Sequence, residues 1–230
     1  MTLQEAITLR HSVRSYVESP LPENVADILR EKIAVCNAQG GLSIRLITNE
    51  PKAFRGFASY GKFTGVENYL VMAGRKSETF YNNVGYYGQQ LVLLAQTLGL
   101  NTCWAGQTYK KINSVLCQER GEKTACLIAL GYGASQGVAH KSRKVEDVSN
   151  CTADSPEWMR RGVEAALLAP TAVNQQRFRF IMRQQRIDGR QVVAARRGFS
   201  LVGYTRIDLG IAKLHFEIGA GTENFMWEES

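Results

Sequence analysis

The chain has 230 residues, 44% of them hydrophobic and 21% charged, a composition typical of globular proteins and not of disordered ones. Lysine and arginine number 28 against 21 aspartate and glutamate, and the resulting net charge of +7 suits ligands that carry phosphate or, equally, weak binding to nucleic acid. The charge alone does not decide between these partners, because the sequence lacks basic blocks interleaved with aromatic residues.

The first residues and the cysteines bear on the compartment. Residues 1–5 have neither a basic segment nor an apolar core, and no apolar stretch is long enough for a membrane span. The five cysteines form no C-x-x-C pair, and only three histidines could join them around a metal. We therefore expect a cytoplasmic protein with reduced thiols, no bound metal and no contact with a membrane.

The first half of the sequence predicts alternating helices and strands. Thr2 and Glu5 form a capping-box pattern at the start of a helix over residues 2–10. Gly99 is expected to end a long helix. Helical or alternating spacing of apolar residues predicts, in chain order, a helix over 22–36, strands over 43–48 and 68–74, helices over 80–99 and 108–118, and a strand over 125–130.

The second half repeats this order in a shorter form. Pro156-Glu157 precedes a helix as Pro22-Glu23 does, and Gly219 ends a later helix as Gly99 does. We therefore predict two structural repeats, residues 1–150 and an abbreviated second repeat, residues 151–230, packed against the first. Few positions are identical, so a chance match is the alternative.

An arginine-rich segment follows the predicted strand over 177–182 and turns at Asp188-Gly189 as a hairpin. Its arginines could attract a ligand that carries phosphate, although a solvated basic face is the simpler interpretation. These residues are Arg183, Arg186, Arg190, Arg196 and Arg197. Further along, His215 on a mostly apolar helix is expected to be structural, and Asp208 is given no catalytic role.

Two segments carry residues suited to a flat anionic ligand. Arg10 and Arg14, with Ser12 between them, can present two guanidinium groups and a hydroxyl to one anion, or can simply be charges and a capping serine at a helix end. In residues 169–176, small residues allow close backbone approach, and Asn174 and Gln176 each offer a donor and an acceptor to a heterocycle. A proline-containing helix end with an asparagine turn is the alternative interpretation of this second segment.

Together, Arg-x-Ser-x-Arg and Ala-Pro-Thr-Ala-x-Asn-x-Gln resemble the two signature segments of the nitroreductase family. Residues 98–104 and 129–133 resemble that family's helix end before the flavin and its next core strand, and the resemblance spans residues 3–227. It implies an α+β fold with antiparallel and mixed sheets packed with helices, and FMN as cofactor.

The position of the second segment departs from the common family pattern. In that pattern the Ala-Pro-Ser/Thr-Ala-x-Asn segment follows soon after Arg-x-Ser-x-Arg, but residues 35–40 here are degenerate and the good copy is at 169–174. Common members are homodimers with the flavin between subunits. The chain is more similar to a subfamily with two repeats fused into a pseudo-dimer, which implies one FMN site within the chain, a decayed reciprocal site, and a protein that could be monomeric.

The resemblance assigns cofactor contacts residue by residue. Arg10, Ser12 and Arg14 resemble the contacts to the phosphate, ribityl chain and pyrimidine edge, and His11 could touch the phosphate or fill the space of a second arginine. Four residues resemble the partner-side contacts to the ribityl chain and ring: Thr171, Ala172, Asn174 and Gln176.

Two further pairs follow from the same resemblance. Ala105 and Gly106 are placed where the family backbone approaches flavin N5. Lys141 and Arg143 resemble a basic segment that holds the phosphate, with a solvated loop as the alternative.

By the same resemblance, the chain is an FMN-dependent oxidoreductase with a ping-pong cycle, in which hydride from NADH or NADPH reaches a nitroaromatic, a quinone or another small acceptor. No catalytic side chain is expected, because the flavin carries the chemistry. Four aromatic residues line the acceptor pocket or pack in the core: Phe57, Tyr60, Phe63 and Tyr69. One alternative is a flavin-binding protein with a different reaction or no reductase activity; another is a basic nucleic-acid-binding module, which would leave the paired motifs unexplained.

Overall fold

The computed structural model describes residues 1–55, 62–110, 112 and 121–229. Helices and strands alternate along the chain, with a sheet in each half. In chain order the elements are α1 (Leu3–Leu9), α2 (Glu23–Gly40), β1 (Arg45–Ile47), β2 (Asn68–Arg75), α3 (Phe80–Thr97), β3 (Asn101–Ala105), β4 (Glu122–Gly131), α4 (Glu157–Leu167), β5 (Phe178–Ile187), β6 (Arg190–Arg197), α5 (Thr205–Ala220) and β7 (Phe225–Trp227).

The strands form two separate sheets. The larger has the order β1-β2-β4-β3, and each neighbouring pair is antiparallel. The smaller has the order β5-β6-β7, in which β5 and β6 are antiparallel and β6 and β7 are parallel. The predicted α+β class with antiparallel and mixed sheets is therefore confirmed. Both halves contain the order helix, strand, strand, helix, strand, but the two repeats and their boundaries stay a prediction.

Helices α3 and α5 pack against each other between the sheets, and α4 packs on α5. Glycine makes the close approach of α3 and α5 possible: a Cβ on Gly85 would overlap the carbonyl oxygen of Ile207, and a Cβ on Gly210 would overlap that of Asn82. One hydrophobic core cluster extends over residues of both sheets and these helices. The two halves thus share a core.

Local sequence signals locate several elements well. The capping box of Thr2 and Glu5 is present at α1. The hairpin between β5 and β6 turns at Asp188 and Gly189, whose φ angles of 50° and 77° match the type I′ turn. The strand β3 was not predicted, whereas α2 extends to Gly40, four residues beyond its predicted end.

The helix predicted over 108–118 lies mainly outside the described residues, and residues 108–110 are not helical. Among the described helices, none is both long and apolar enough to cross a membrane. Within the same residues, no group of three or more His, Cys, Asp or Glu side chains could hold a metal ion.

Candidate functional site

A cavity of about 310 Å³, here called the central cavity, lies between the loop after α1 and the segment after α4. Ser12 and Arg14 line it from the first loop, Thr171 and Ala172 line it from the second, and Gly106 lines it directly after β3. The structure thus brings together five of the twelve residues predicted to bind the cofactor. The volume of the central cavity is within the range of small-molecule binding sites.

Strand β3 positions the arginine-containing loop. The backbone N–H of Val13 donates to the carbonyl oxygen of Thr102 at 3.1 Å, and Ser12 pairs with Thr102 in a parallel bridge. The phenol of Tyr16 donates to the carbonyl oxygen of Val13 at 2.7 Å. These bonds fix the loop along the edge of the larger sheet, with Ser12 and Arg14 at the central cavity.

Arg10 is buried two residues before Ser12 and does not line the central cavity. Only 3% of its surface is exposed, and burial lowers the pKa of its guanidinium to about 10. Its Nε has no hydrogen-bond partner, and no described residue forms an ion pair with it. A buried charge without an opposite charge is costly, so Arg10 is well suited to an anionic group of a ligand.

The segment after α4 has an unusual backbone. Val173, Asn174 and Gln176 have φ angles of 46°, 55° and 46°, in the left-handed region that a β-branched residue such as Val173 rarely adopts. Such strain persists only where surrounding contacts impose it, and it is frequent at ligand sites. Here the N–H of Gln176 donates to Oγ1 of Thr171 at 3.0 Å.

Asp208, in the first turn of α5, fixes the same segment and lines the central cavity. Its Oδ1 accepts the N–H of Ala172 at 3.0 Å, and its Oδ2 accepts Nε2 of Gln175 at 2.6 Å. Burial raises the pKa of the Asp208 carboxyl to about 6, although both hydrogen bonds oppose that rise. Sequence reasoning missed this role of Asp208, because an acidic residue in the first turn of a helix is common.

Asn174 and Gln176 do not line the central cavity. Their side chains both donate to the carbonyl oxygen of Lys141 at 2.8 Å, and Oε1 of Gln176 accepts the N–H of Arg143 at 2.9 Å. The segment therefore holds Lys141 and Arg143 through their backbone, while the side chains of both residues are exposed. Their predicted contacts with a phosphate stay a prediction.

Two other predicted residues lie beside the cavity and not in its wall. Ala105, the last residue of β3, is buried. His11 is partly buried, and its pKa is lowered by burial and by the charge of Arg10. The cofactor contacts that the family resemblance assigns to Ala105 and His11 therefore stay predictions.

One wall of the central cavity is connected to the core by a chain of hydrogen bonds. The indole Nε1 of Trp104 donates to Oε1 of Gln89 at 3.1 Å, and Gln89 Nε2 lies 2.8 Å from His215 Nε2. His215 Nδ1 lies 3.1 Å from the carbonyl oxygen of Ala165, so Nδ1 carries the proton and Nε2 accepts. Burial lowers the pKa of His215 to about 3, and the neutral imidazole is structural.

Backbone and aromatic residues complete the wall. A Cβ on Gly106 would lie 2.7 Å from Cζ of Tyr204, so only glycine fits there without movement of that ring. Phe63 lines the cavity, but Tyr69 is fully buried and its hydroxyl donates to Glu50 at 2.8 Å. Phe57 and Tyr60 lie outside the described residues.

Comparison with known proteins places these features in a family. Residues 2–220 match the model of a family described as "Putative TM nitroreductase". No curated protein matches the chain. The match covers every residue that lines the central cavity and both motif segments.

Solved structures show a similar fold. A "putative nitroreductase" of Thermotoga maritima has a TM-score of 0.66 and 22% identity, over 95% of this chain and 83% of that one. A nitroreductase-like protein of Streptococcus mutans has a TM-score of 0.53 and 13% identity, over 63% and 95%. A "putative nitroreductase" of Desulfovibrio desulfuricans in complex with FMN has a TM-score of 0.52 and 16% identity, over 68% and 98%. The chain belongs to the family described as "Putative TM nitroreductase".

Proposed function

We propose that the protein is an FMN-dependent oxidoreductase that takes electrons from NADH or NADPH and passes them to a nitroaromatic, a quinone or a similar small acceptor. One observation carries the proposal: Ser12 and Arg14 of the first motif face Thr171 and Ala172 of the second across one cavity within a single chain. In support, a structure of similar fold is a complex with FMN.

The chemistry of the surrounding residues fits FMN. Arg10 does not line the cavity, but it is buried two residues before Ser12 and lacks an anionic partner among the described residues, so its positive charge beside the cavity favours the phosphate group. Trp104, Ile207 and Ile211 offer an apolar wall to a flat ring, and Gly106 lets the backbone come close to it. Lys141 and Arg143 are further candidates for the phosphate.

The protein's own groups would orient the cofactor and shape its electrostatics. Bound FMN would supply the hydride chemistry, so no side chain is assigned to it as an acid, base or nucleophile. Arg14 at the cavity would stabilise negative charge on the reduced ring. Asp208 would hold the segment at Ala172 in place, and the apolar wall with Trp104 would exclude water from one side.

Flavin content is the first measurement. We expect freshly purified protein to show the visible absorption bands of oxidised FMN and to lose them when NADPH is added without air. Menadione should restore them, and initial rates at varied NADPH and menadione should follow ping-pong kinetics. A colourless protein that also fails to take up added FMN would refute the proposal.

Variants connect the result to the central cavity. Arg14→Gln should raise the dissociation constant for FMN at least about tenfold, because a charged hydrogen bond contributes about 1.5–3 kcal/mol. Arg75→Gln is the control, since Arg75 is exposed at the end of β2 and does not line the cavity. Fluorescence titration measures the dissociation constant for FMN in both variants. Tight FMN binding without reduction by NADPH or NADH would instead favour a flavin-binding protein with another reaction.

A further inference from the structure

A second cavity, of about 570 Å³, adjoins the central cavity. The two cavities share four lining residues: Gly106, Gln107, Tyr204 and Ile207. A ligand in the second cavity would therefore contact the same residues that border the central cavity. Two tyrosines that belong only to the second cavity, Tyr81 and Tyr109, add aromatic surface to its wall.

The second cavity is positively charged. Lys123 from β4, Arg197 from the end of β6 and Arg206 from the first turn of α5 all line it. Among its described lining residues none is an aspartate or a glutamate. We call it the basic cavity.

The two arginines have no carboxylate to neutralise them within the described part of the chain. No ion pair there includes Arg197 or Arg206. Lys123 is bound to a neutral group, since its Nζ donates to the hydroxyl of Tyr81 at 2.7 Å and lies 5.4 Å from the centre of that ring. Three elements thus bring like charges to one concave surface, where they would attract an anion.

We propose that the basic cavity binds the anionic group, phosphate or carboxylate, of a ring-containing substrate whose ring reacts in the central cavity. This inference rests on the proposed function and goes further, because it assigns a second subsite and a charge to the substrate. The tyrosines offer stacking surfaces, and the arginines offer forked donors that match phosphate or carboxylate oxygens.

Two substrates could supply this anionic group. One is the electron donor, since a nicotinamide dinucleotide carries phosphates. The other is an electron acceptor that bears a carboxylate. The two react in separate halves of a ping-pong cycle, so the half-reactions distinguish them.

The test uses the double variant Arg197→Gln/Arg206→Gln and measures each half-reaction by stopped-flow absorbance at low salt. The control is Arg186→Gln/Arg190→Gln, which removes the same charge from the β5–β6 hairpin, where neither arginine lines the central cavity or the basic cavity. The acceptor probes are 4-nitrobenzoate and neutral nitrobenzene, and the donor probe is NADPH.

The basic cavity predicts a selective loss in the double variant. Loss of two exposed charges should lower a second-order rate constant by about fivefold, given the modest contribution of exposed ion pairs. A lower second-order rate constant for reduction by NADPH identifies the electron donor as the anionic substrate. A fall in the ratio of 4-nitrobenzoate to nitrobenzene reoxidation rates identifies the acceptor. If neither the NADPH rate constant nor this ratio is lower in Arg197→Gln/Arg206→Gln than in the control variant, the proposal is overturned.

A binding measurement separates this inference from the proposed function. If the protein takes up no FMN, the proposed function fails, but calorimetric titration with sodium pyrophosphate still tests the basic cavity. A dissociation constant about fivefold higher in Arg197→Gln/Arg206→Gln than in the control supports an anion site there. Equal dissociation constants in the two variants would overturn it.

Discussion

Replacement of Asp208 by asparagine tests whether this buried carboxyl group costs the protein stability at neutral pH. Burial raises its pKa from the ordinary 3.8 to about 6. The folded protein therefore binds the Asp208 proton more tightly than the unfolded chain does. The free energy of unfolding that depends on Asp208 is highest below pH 3.8 and is lost as the pH rises through about 6.

The gap between the two pKa values sets the magnitude. From 3.8 to about 6, at about 1.36 kcal/mol per pH unit, the loss is about 3 kcal/mol. About 2 kcal/mol of it falls between pH 4.5 and pH 8, because the unfolded chain is already partly ionised at pH 4.5. Asparagine has a similar shape and no charge, and its Oδ1 can still accept the N–H of Ala172. Relative to wild type, Asp208→Asn should therefore gain about 2 kcal/mol of stability across this range.

Urea unfolding at pH 4.5 and pH 8, with wild type measured beside each variant, provides the assay. Asp154→Asn is the control, because it makes the same chemical replacement at an exposed position in a turn before α4. A difference between Asp208→Asn and wild type that is the same at both pH values would refute the reasoning. Asp208 would then not be paying a desolvation cost in the folded protein.

Three further substitutions probe the site and its support. Arg10→Met removes a buried charge, so the FMN-free protein should become more stable in urea by about 3 kcal/mol, while FMN affinity falls at least about tenfold. A loss of stability together with affinity would instead indicate a structural arginine. Gly106→Ala should weaken FMN binding about tenfold in a fluorescence titration, because its Cβ displaces the ring of Tyr204; unchanged affinity would contradict the close backbone approach. His215→Leu leaves Nε2 of Gln89 without its partner and removes one of the hydrogen bonds to the carbonyl oxygen of Ala165, so it should cost about 1–3 kcal/mol in thermal or urea unfolding; an unaltered midpoint would count against the buried network.

Elements that depend on neighbouring residues were predictable from the sequence. The helix start at Thr2 and the hairpin at Asp188-Gly189 each require residues only a few positions apart, so local stereochemistry decides them. The motif residues that line the central cavity, such as Ser12 and Thr171, could be identified because two short patterns carry them. The internal repeat, in contrast, is an interpretation of weak similarity between distant segments.

Strand β3 shows why other parts could not be predicted. It begins with two polar residues, Asn101 and Thr102, which are nevertheless buried. The side chain of Asn101 accepts the N–H of Gly133 at 2.9 Å and donates to Gln136 at 3.0 Å. The partners of Asn101 lie about thirty positions away in the sequence, and the carbonyl oxygen of Thr102 accepts the N–H of Val13 in the loop after α1. Because these distant residues satisfy the polar groups of β3, an alternation of hydrophobic and polar residues does not reveal this strand.

The same limitation applies within the site. Asp208 reaches Ala172 and Gln175 only because α5 packs beside the segment after α4. Asn174 and Gln176 have the donors and acceptors expected for binding a heterocycle, yet in the structure both side chains donate to the backbone carbonyl oxygen of Lys141. A residue type can indicate what a side chain is able to bind, but the packing of distant elements determines which partner it finds.

The hydrogen-bonded chain from Trp104 through Gln89 to His215 gives the protein an internal spectroscopic reporter. The Nδ1 proton of His215 is shared with a backbone carbonyl and shielded from water, so it should exchange slowly and give a distinct low-field proton resonance. With a pKa of about 3, this imidazole should stay neutral throughout the neutral range, and its hydrogen bonds to Ala165 and Gln89 should keep the proton on Nδ1. The series of hydrogen bonds ends at Trp104, which lines the central cavity. The His215 resonance should therefore report whether that cavity is occupied, although His215 itself is buried outside it.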